Sequence, residues 1–209
     1  MSDLVIAIDG PAGSGKSTVA RAVAELLGWS FLDTGAMYRA VTSEALFQGI
    51  DVHDAAAVAA LAEEVTLTTL PRVTVNGRDV EDDIRTEQIN VAVSVVAANP
   101  EVRASMVARQ RQLATAQPLG TVVEGRDITT VVFPHASAKI FLTASLEERA
   151  RRRGDESEGS VARRDEADST RIASPLRQAH DALVLDTTGR DVDDVAQEIV
   201  QWLKHNLSN

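Results

Sequence analysis

"IDGPAGSGKST", residues 8–18, closes the apolar run "LVIAI" at 4–8 and opens a segment with helical periodicity. Gly10, four intervening residues and then Gly15-Lys16-Ser17 give the spacing of a loop whose backbone N–H groups cradle phosphates while a lysine reaches the outer ones. The run before it suits a buried parallel strand. After Lys16, Val19, Val23, Leu26 and Leu27 recur at helical spacing, and Gly28 supplies a stop. Strand, glycine loop and helix in that order make a phosphate site. They leave open whether the phosphate passes to water, drives a protein switch or moves to a small acceptor.

The rest of the chain narrows the choice. At 209 residues with 44% hydrophobic content, it can fill the core of one compact domain, with room for a small insert. Only 3% of residues are aromatic, so that core must be mostly Ala, Val, Leu and Ile. Cysteine is absent, which excludes disulfides and thiolate metal sites. No apolar run approaches the roughly 20 residues of a membrane helix. The N-terminus lacks a basic-then-apolar leader pattern, so a cytoplasmic residence is expected. A net charge of −10 argues against broad contact with nucleic acid. The positive charge falls on 18 arginines and three lysines, and several arginines crowd between Arg149 and Arg171. Such a run reads either as a solvated helix face or as a set of guanidinium clamps for phosphate.

Along the chain, strands and helices alternate. "WSFLDTG" (29–35) reads as a strand breaking into a turn, and "AMYRAVTSEALFQG" (36–49) as a helix closed by Gly49. A small β element at about 65–85 carries Asn76-Gly77, the strongest short hairpin signal available. Helical patterns return in "EQINVAVSVVA", break at Asn99-Pro100 and resume in "EVRASMVARQRQLATA". "TVV" (121–123), "AKIFLTA" (138–144) and "ALVLD" (182–186) read as strands. Ser145 with Glu148 makes a capping box, "GDESEGS" (154–160) reads as a mobile loop, and a final helix carries Val192, Val195, Ile199, Trp202 and Leu203 on one face. The expected fold class is α/β: a central parallel sheet covered by helices on both sides. Ligands in such sheets sit off the carboxyl ends of the strands, where "GPAGSGKST", "DTGAMYR" and "EGRD" would converge.

Phosphoryl transfer needs positioning and charge neutralisation. Gly10, Gly13 and Gly15 let the backbone close on phosphates, the helix start adds partial positive charge, Lys16 would span the β- and γ-phosphates, and Ser17 would hold Mg²⁺. Glu124 reads as a metal-supporting carboxylate or as a plain strand-end acid. A GTPase-type switch would need Asp-x-x-Gly soon after the loop and Asn-Lys-x-Asp later. Here "DTTG" comes only at 186–189 and no Asn-Lys pair exists. The Leu-Ser-Gly-Gly signature of transport ATPases is absent too. A small acceptor remains, with Arg39 and Arg126 as candidates for an acceptor phosphate.

"LDTGAMYRA", "EGRDITTVVFP", "KIFLTASLEERARRR", "DSTRIASPL" and "DALVLDTT", in that order behind "IDGPAGSGKST", resemble the bacterial cytidylate kinases nearly end to end. The resemblance implies a nucleoside monophosphate kinase fold over 1–209: a core (1–62 and 119–209), an acceptor-binding insert (about 63–100) and a short lid (about 153–171). It implies Mg²⁺-dependent transfer from ATP to CMP or dCMP by a monomer whose partners are small nucleotides, with neither nucleic acid nor membrane involved. The matching positions give Gly10, Pro11, Ala12, Gly13, Ser14, Gly15, Lys16, Ser17, Thr18, Arg149 and Arg153 to ATP, with Ser17 and Glu124 on the metal. They give Thr34, Tyr38, Arg39, Ser94, Arg103, Arg126, Asp127, Asp168 and Arg171 to the acceptor, and catalytic roles to Lys16, Arg126, Arg164 and Arg171. For Ser94 a small helix-packing residue is the competing reading. A kinase for UMP, AMP or a metabolite, and a non-catalytic nucleotide-binding protein, are the other functions compatible with the loop.

Overall fold

The computed structural model describes residues 4–154, 157–170 and 174–207. They fall into two compact units, one from the chain start to Leu32 together with Arg111 onward, the other spanning Asp33–Gln110.

The first unit is organised by β1 (Val5–Asp9), buried at every position. It lies at the centre of a five-stranded sheet ordered β2-β6-β1-β7-β8, with β2 at Ser30–Asp33, β6 at Thr121–Gly125, β7 at Ala138–Thr143 and β8 at Leu183–Asp186. β1 pairs in parallel with β6 and β7, and β7 with β8, so their carboxyl ends share one edge. The register sets Asp9 opposite Gly125 on one side and Phe141 on the other. The chain leaves β1 toward β6 and β2 but later returns on the side of β7 and β8. β1 is therefore the switch point at which open α/β sheets bind ligands.

α1 (Lys16–Leu27) and α8 (Val192–Leu207) supply the apolar side chains that meet the sheet. Val19 and Val23 of α1 pack with Val195, Ile199 and Leu203 of α8 against Ile6, Ile8, Ile140 and Leu142. The core is thus aliphatic, as the low aromatic content requires. Gly28 ends α1 at a φ of 67°, its N–H bonding back to the carbonyls of Ala24 and Glu25. α6 (Leu146–Arg152) begins where Ser145 Oγ accepts from the Glu148 N–H at 3.2 Å.

Two local readings change. The turn expected at Asp33-Thr34-Gly35 is the first turn of α2 (Thr34–Phe47), because Asp33 Oδ1 accepts from the Ala36 N–H at 2.8 Å and caps the helix. The loop expected over 154–160 gives way to α7 (Glu158–Thr170), whose start is capped by Ser157 Oγ accepting from the Ser160 N–H at 3.2 Å. Asp155 and Glu156 lie outside the described residues.

In the second unit, α2 is followed by α3 (Ala55–Glu64), whose alanine-rich sequence gives too little polar contrast to show a period. A three-stranded antiparallel sheet follows, with β3 at Leu67–Thr68, β4 at Thr74–Val75 and β5 at Arg78–Asp79. Asn76 and Gly77 turn between the last two at φ of 52° and 78°, the paired left-handed conformation that an Asn-Gly hairpin requires. Helices α4 (Glu87–Ala98) and α5 (Pro100–Thr115) complete the order. A partly buried ion pair, Arg78 to Glu44 at 2.8 Å, ties the hairpin to α2.

Truncating Ile199, fully buried in the sheet–helix core, to alanine is expected to cost about 2–5 kcal/mol of unfolding free energy. Val91→Ala on the exposed face of α4 should stay within about 0.5 kcal/mol. Urea denaturation of the two variants checks both values.

Candidate active site

The phosphate loop is shaped by what it cannot accommodate. A Cβ on Gly10 would lie 2.2 Å from the Leu142 carbonyl oxygen, and one on Gly13 would lie 2.7 Å from that of Arg149. Gly13 and Gly15 hold φ of 77° and 80°, which L side chains rarely adopt. The loop therefore lies close on neighbouring backbone. At its end the first N–H groups of α1 lack partners inside the helix, which gives an anion site. Ser14 Oγ is buried with no hydrogen-bond partner among the described residues, a polar atom inside the loop that a phosphate oxygen would satisfy.

At the start of α1, Lys16 Nζ lies 4.0 Å from Glu124 Oε2 and donates to the Pro11 carbonyl at 3.4 Å. Ser17 Oγ donates to Glu124 Oε1 at 2.7 Å. The structure thus brings together Lys16, Ser17 and Glu124, from "GKST" and "EGRD", and both Lys16 and Glu124 are buried. One hydroxyl and one carboxylate are hard oxygen donors, the kind Mg²⁺ takes beside phosphate and water. Among the described residues no group of three His, Cys, Asp or Glu side chains could hold a metal by itself. The donor set fits an ion shared with a nucleotide.

The arginines divide. Arg126 Nε donates to Asp168 Oδ2 at 2.8 Å, joining two residues read as acceptor contacts. Arg149 is buried beneath the loop: its guanidinium donates to the carbonyls of Ala144 at 3.0 Å and Ala12 at 3.1 Å and pairs with Asp165. Asp165 in turn accepts from the Ala12 N–H at 3.4 Å, so the two side chains hold both the N–H and the carbonyl of one loop residue. Arg153 is half-buried at the C-cap of α6. Thr18 is exposed on the first turn of α1. Arg164 lies on α7 with its side chain outside the described residues, as is the whole of Arg171.

In the second unit, Thr34 is buried at the start of α2, one turn before Tyr38 and Arg39. Arg39 donates to Asn90 Oδ1 at 2.6 Å and to the Ile84 carbonyl at 3.1 Å. The Arg103 guanidinium sits 5.6 Å from the centroid of the Tyr38 ring and donates to the Ala97 carbonyl at 3.1 Å. Ser94 is half-buried on α4.

Four residues escape a reading by motif. Asp165, as described, holds Ala12. Arg152 donates to Thr187 Oγ1 at 2.9 Å, and Thr187 Oγ1 donates to the Ser14 carbonyl at 3.0 Å. These contacts bring the "RARRR" and "DTTG" segments to the loop, and only the spatial meeting of α6 with the end of β8 reveals them. The fourth is Asp9, at the carboxyl end of β1. Its Oδ1 accepts from the Ile128 N–H at 2.9 Å, and its Oδ2 accepts from the Thr129 N–H at 2.7 Å and Thr129 Oγ1 at 2.6 Å. A signal existed: an acid ending an otherwise apolar buried strand. Burial pushes its carboxyl up to about 6, against the lowering hydrogen bonds from Thr129 and Ile128 and with a further rise from the charge of Asp127.

The sheet order and the phosphate loop define a phosphate-loop kinase fold. Shikimate kinase from Acinetobacter baumannii in complex with shikimate superposes with a TM-score of 0.53 at 17% identity, over 98% of this chain and 95% of that one. A gluconokinase from Sinorhizobium meliloti 1021 gives a TM-score of 0.54 at 18% identity, over 98% and 95%. At the level of sequence the likeness is narrower. The family described as Cytidylate kinase matches residues 6–205. The cytidylate kinase of Geobacillus kaustophilus is 48% identical over 219 residues, covering 97% of each chain. That of Mycobacterium leprae is 48% identical over 217 residues, covering 98% of this chain and 97% of the other. The chain belongs to the cytidylate kinase family and is a phosphotransferase.

The raised Asp9 carboxyl carries a pH signature. Between its ordinary value of 3.8 and about 6 the unfolded chain has released this proton while the folded one keeps it. This group's contribution is therefore complete below pH 4 and is lost as pH rises through 6, by roughly 1 kcal/mol per pH unit at most. Asp9→Asn cannot titrate, so the wild-type stability relative to the variant should fall from pH 4 to pH 6.5 and then level off, as read by urea unfolding at each pH.

Proposed function

We propose that this chain transfers the γ-phosphoryl group of ATP to the 5′-phosphate of CMP or dCMP, giving ADP and CDP or dCDP. The observation that carries this reading is the meeting of Lys16, Ser17 and Glu124 at the phosphate loop of a chain in the cytidylate kinase family. The loop from Gly10 to Thr18 closes around the donor phosphates, with backbone N–H groups from Gly13 onward turned to them and none from Pro11, and Lys16 stabilises charge on the transferring group. Ser17 and Glu124 hold Mg²⁺, which when bound neutralises charge on the donor phosphates. Arg126, Arg164 and Arg171 offset the negative charge that two phosphorylated nucleotides bring together. Arg149 serves the donor side by fixing the Ala12 peptide, with Arg153 nearby in sequence. The hairpin-bearing stretch at about 63–100 is the acceptor insert and 153–171 the lid of this reading, in a cytoplasmic monomer.

For the acceptor, this reading assigns Thr34, Tyr38 and Arg39, with Arg39 on the phosphate, and Ser94 and Arg103 on the base. It also assigns Arg126, Asp127, Asp168 and Arg171 to the acceptor. Cytosine offers an amino donor beside two acceptors. A carboxylate or hydroxyl accepts from the amino group while a guanidinium donates to N3 and O2. Uracil reverses donor and acceptor at that edge, which leaves a carboxylate facing an oxygen. Mismatches of this kind reach about 10⁴-fold in discrimination.

Following ADP formation with Mg·ATP and CMP, dCMP, UMP or AMP in turn tests the reading. Fast turnover is expected with CMP and dCMP alone, and equal rates with UMP would overturn the cytosine assignment. Asp127→Ala and Arg103→Ala should lower kcat/KM for CMP far more than for UMP. Lys16→Ala should lower kcat by about 10²–10³-fold with every acceptor, with little change in KM for CMP.

A further inference from the structure

Asp9 sits where two chemical loops leave the sheet. Its main chain runs on into the phosphate loop at Gly10, and its register partner on β6 is Gly125, the residue before Arg126 and Asp127. After Asp127 the chain does not continue extended. It winds into a π-helical turn, Ile128–Val132, in which the Asp127 carbonyl accepts from Val131 at 2.8 Å and Val132 at 3.1 Å, and the Ile128 carbonyl from Phe133 at 2.8 Å. A helical turn presents its first N–H groups without partners of its own. Asp127 occupies the N-cap position and does not cap the turn with its side chain. The cap comes from the neighbouring strand: the Asp9 carboxylate takes the N–H groups of Ile128 and Thr129 and the Thr129 hydroxyl. Asp9 is fully buried, and Thr129 is 1% exposed. A buried carboxylate is costly unless its lone pairs are satisfied, so this contact has one low-energy geometry.

We propose that Asp9 and Thr129 act as a positioning pair for catalysis: a cap supplied from β1 that fixes the direction in which Arg126 and Asp127 leave β6, relative to the phosphate loop that starts at the next residue. The inference rests on the reading of Arg126 and Asp127 as acceptor contacts. Neither member of the pair touches a nucleotide; both act through the turn. The Thr129 hydroxyl is the adjustable part. It satisfies Asp9 Oδ2 beyond what the backbone offers, and without it that oxygen keeps a single donor. The turn then has slack at the position that follows Asp127 by two residues. Slack here should weaken the acceptor side and leave the donor side alone, because the phosphate loop is held independently, at Ala12 by Arg149 and Asp165 and at Ser14 by Thr187.

Thr129→Val removes the hydroxyl at nearly constant shape, and Thr129→Ser keeps it. With Thr129→Val we expect KM for CMP to rise and kcat to fall by about tenfold each, the scale of a misplacement below an ångström, while KM for ATP stays within about twofold. Thr129→Ser should return both acceptor constants to within about threefold of wild type. Asp9→Asn, which puts an amide NH₂ against one of these donors, should give the same split. The pair is overturned if Thr129→Val has wild-type constants for CMP, if it raises both KM values together, or if Thr129→Ser fails to restore the loss. Arg126→Lys and Asp127→Asn, measured alongside, separate the inference from the reading beneath it. Impaired CMP kinetics in those two with wild-type kinetics in Thr129→Val removes the positioning pair alone. Wild-type CMP kinetics in both removes the acceptor reading and the pair with it.

Discussion

The Leu142 carbonyl oxygen occupies the space in which a side chain on residue 10 would begin, 2.2 Å from the position of its Cβ. Only a glycine lets the chain leave the central strand at that angle, and much of the first unit follows from it. The departure brings the loop over β7 and delivers Ser14 beneath Thr187 at the end of β8. It also starts α1 with Lys16 and Ser17 turned toward Glu124 on β6. The sheet supplies the rigidity. β1 is buried along its length and bonded on both sides, so it cannot shift to relieve a misfit at its end.

Asp9 is the polar exception in that strand. A carboxylate in an apolar sheet conflicts with the local pattern, and such conflicts are tolerated where they serve geometry. Here the conflict is resolved by three hydrogen bonds to the turn after "EGRD", at the cost of a carboxyl that releases its proton only near pH 6. Two chain segments more than a hundred residues apart thereby share one fixed point.

The arginine run between Arg149 and Arg171 illustrates how one composition serves several ends. Arg149 is consumed by loop architecture, bonded to Ala12, Ala144 and Asp165. Arg152 bridges Glu148 to Thr187. Arg151 pairs with Glu148 along an exposed helix face, the ordinary fate of a charge run. Among the described arginines, Arg149 and Arg152 hold protein groups around the loop, and Arg151 lies on a solvated face. Guanidinium groups with five donors are suited to holding irregular backbone, and a glycine-rich loop has carbonyls that need holding.

The sequence by itself determined the strand–loop–helix unit, because "IDGPAGSGKST" constrains the backbone through its glycines and needs no distant partner to be read. It also determined the Asn76-Gly77 hairpin, the Ser145 cap, the parallel α/β class and the family, since each rests on short-range stereochemistry or on ordered motifs. Tertiary structure alone decided which arginine meets which carbonyl, that Thr187 and Arg152 reach the loop, that Arg126 pairs with Asp168, and that Asp9 caps a turn on the neighbouring strand. Those facts depend on strand order and register. β1 lies beside β6 and β7 rather than beside its sequence neighbour β2, and no local periodicity encodes that choice. The π-helical turn at 128–132 was hidden for the same reason. Its cap comes from another strand, and a residue pattern can report only the caps it contains.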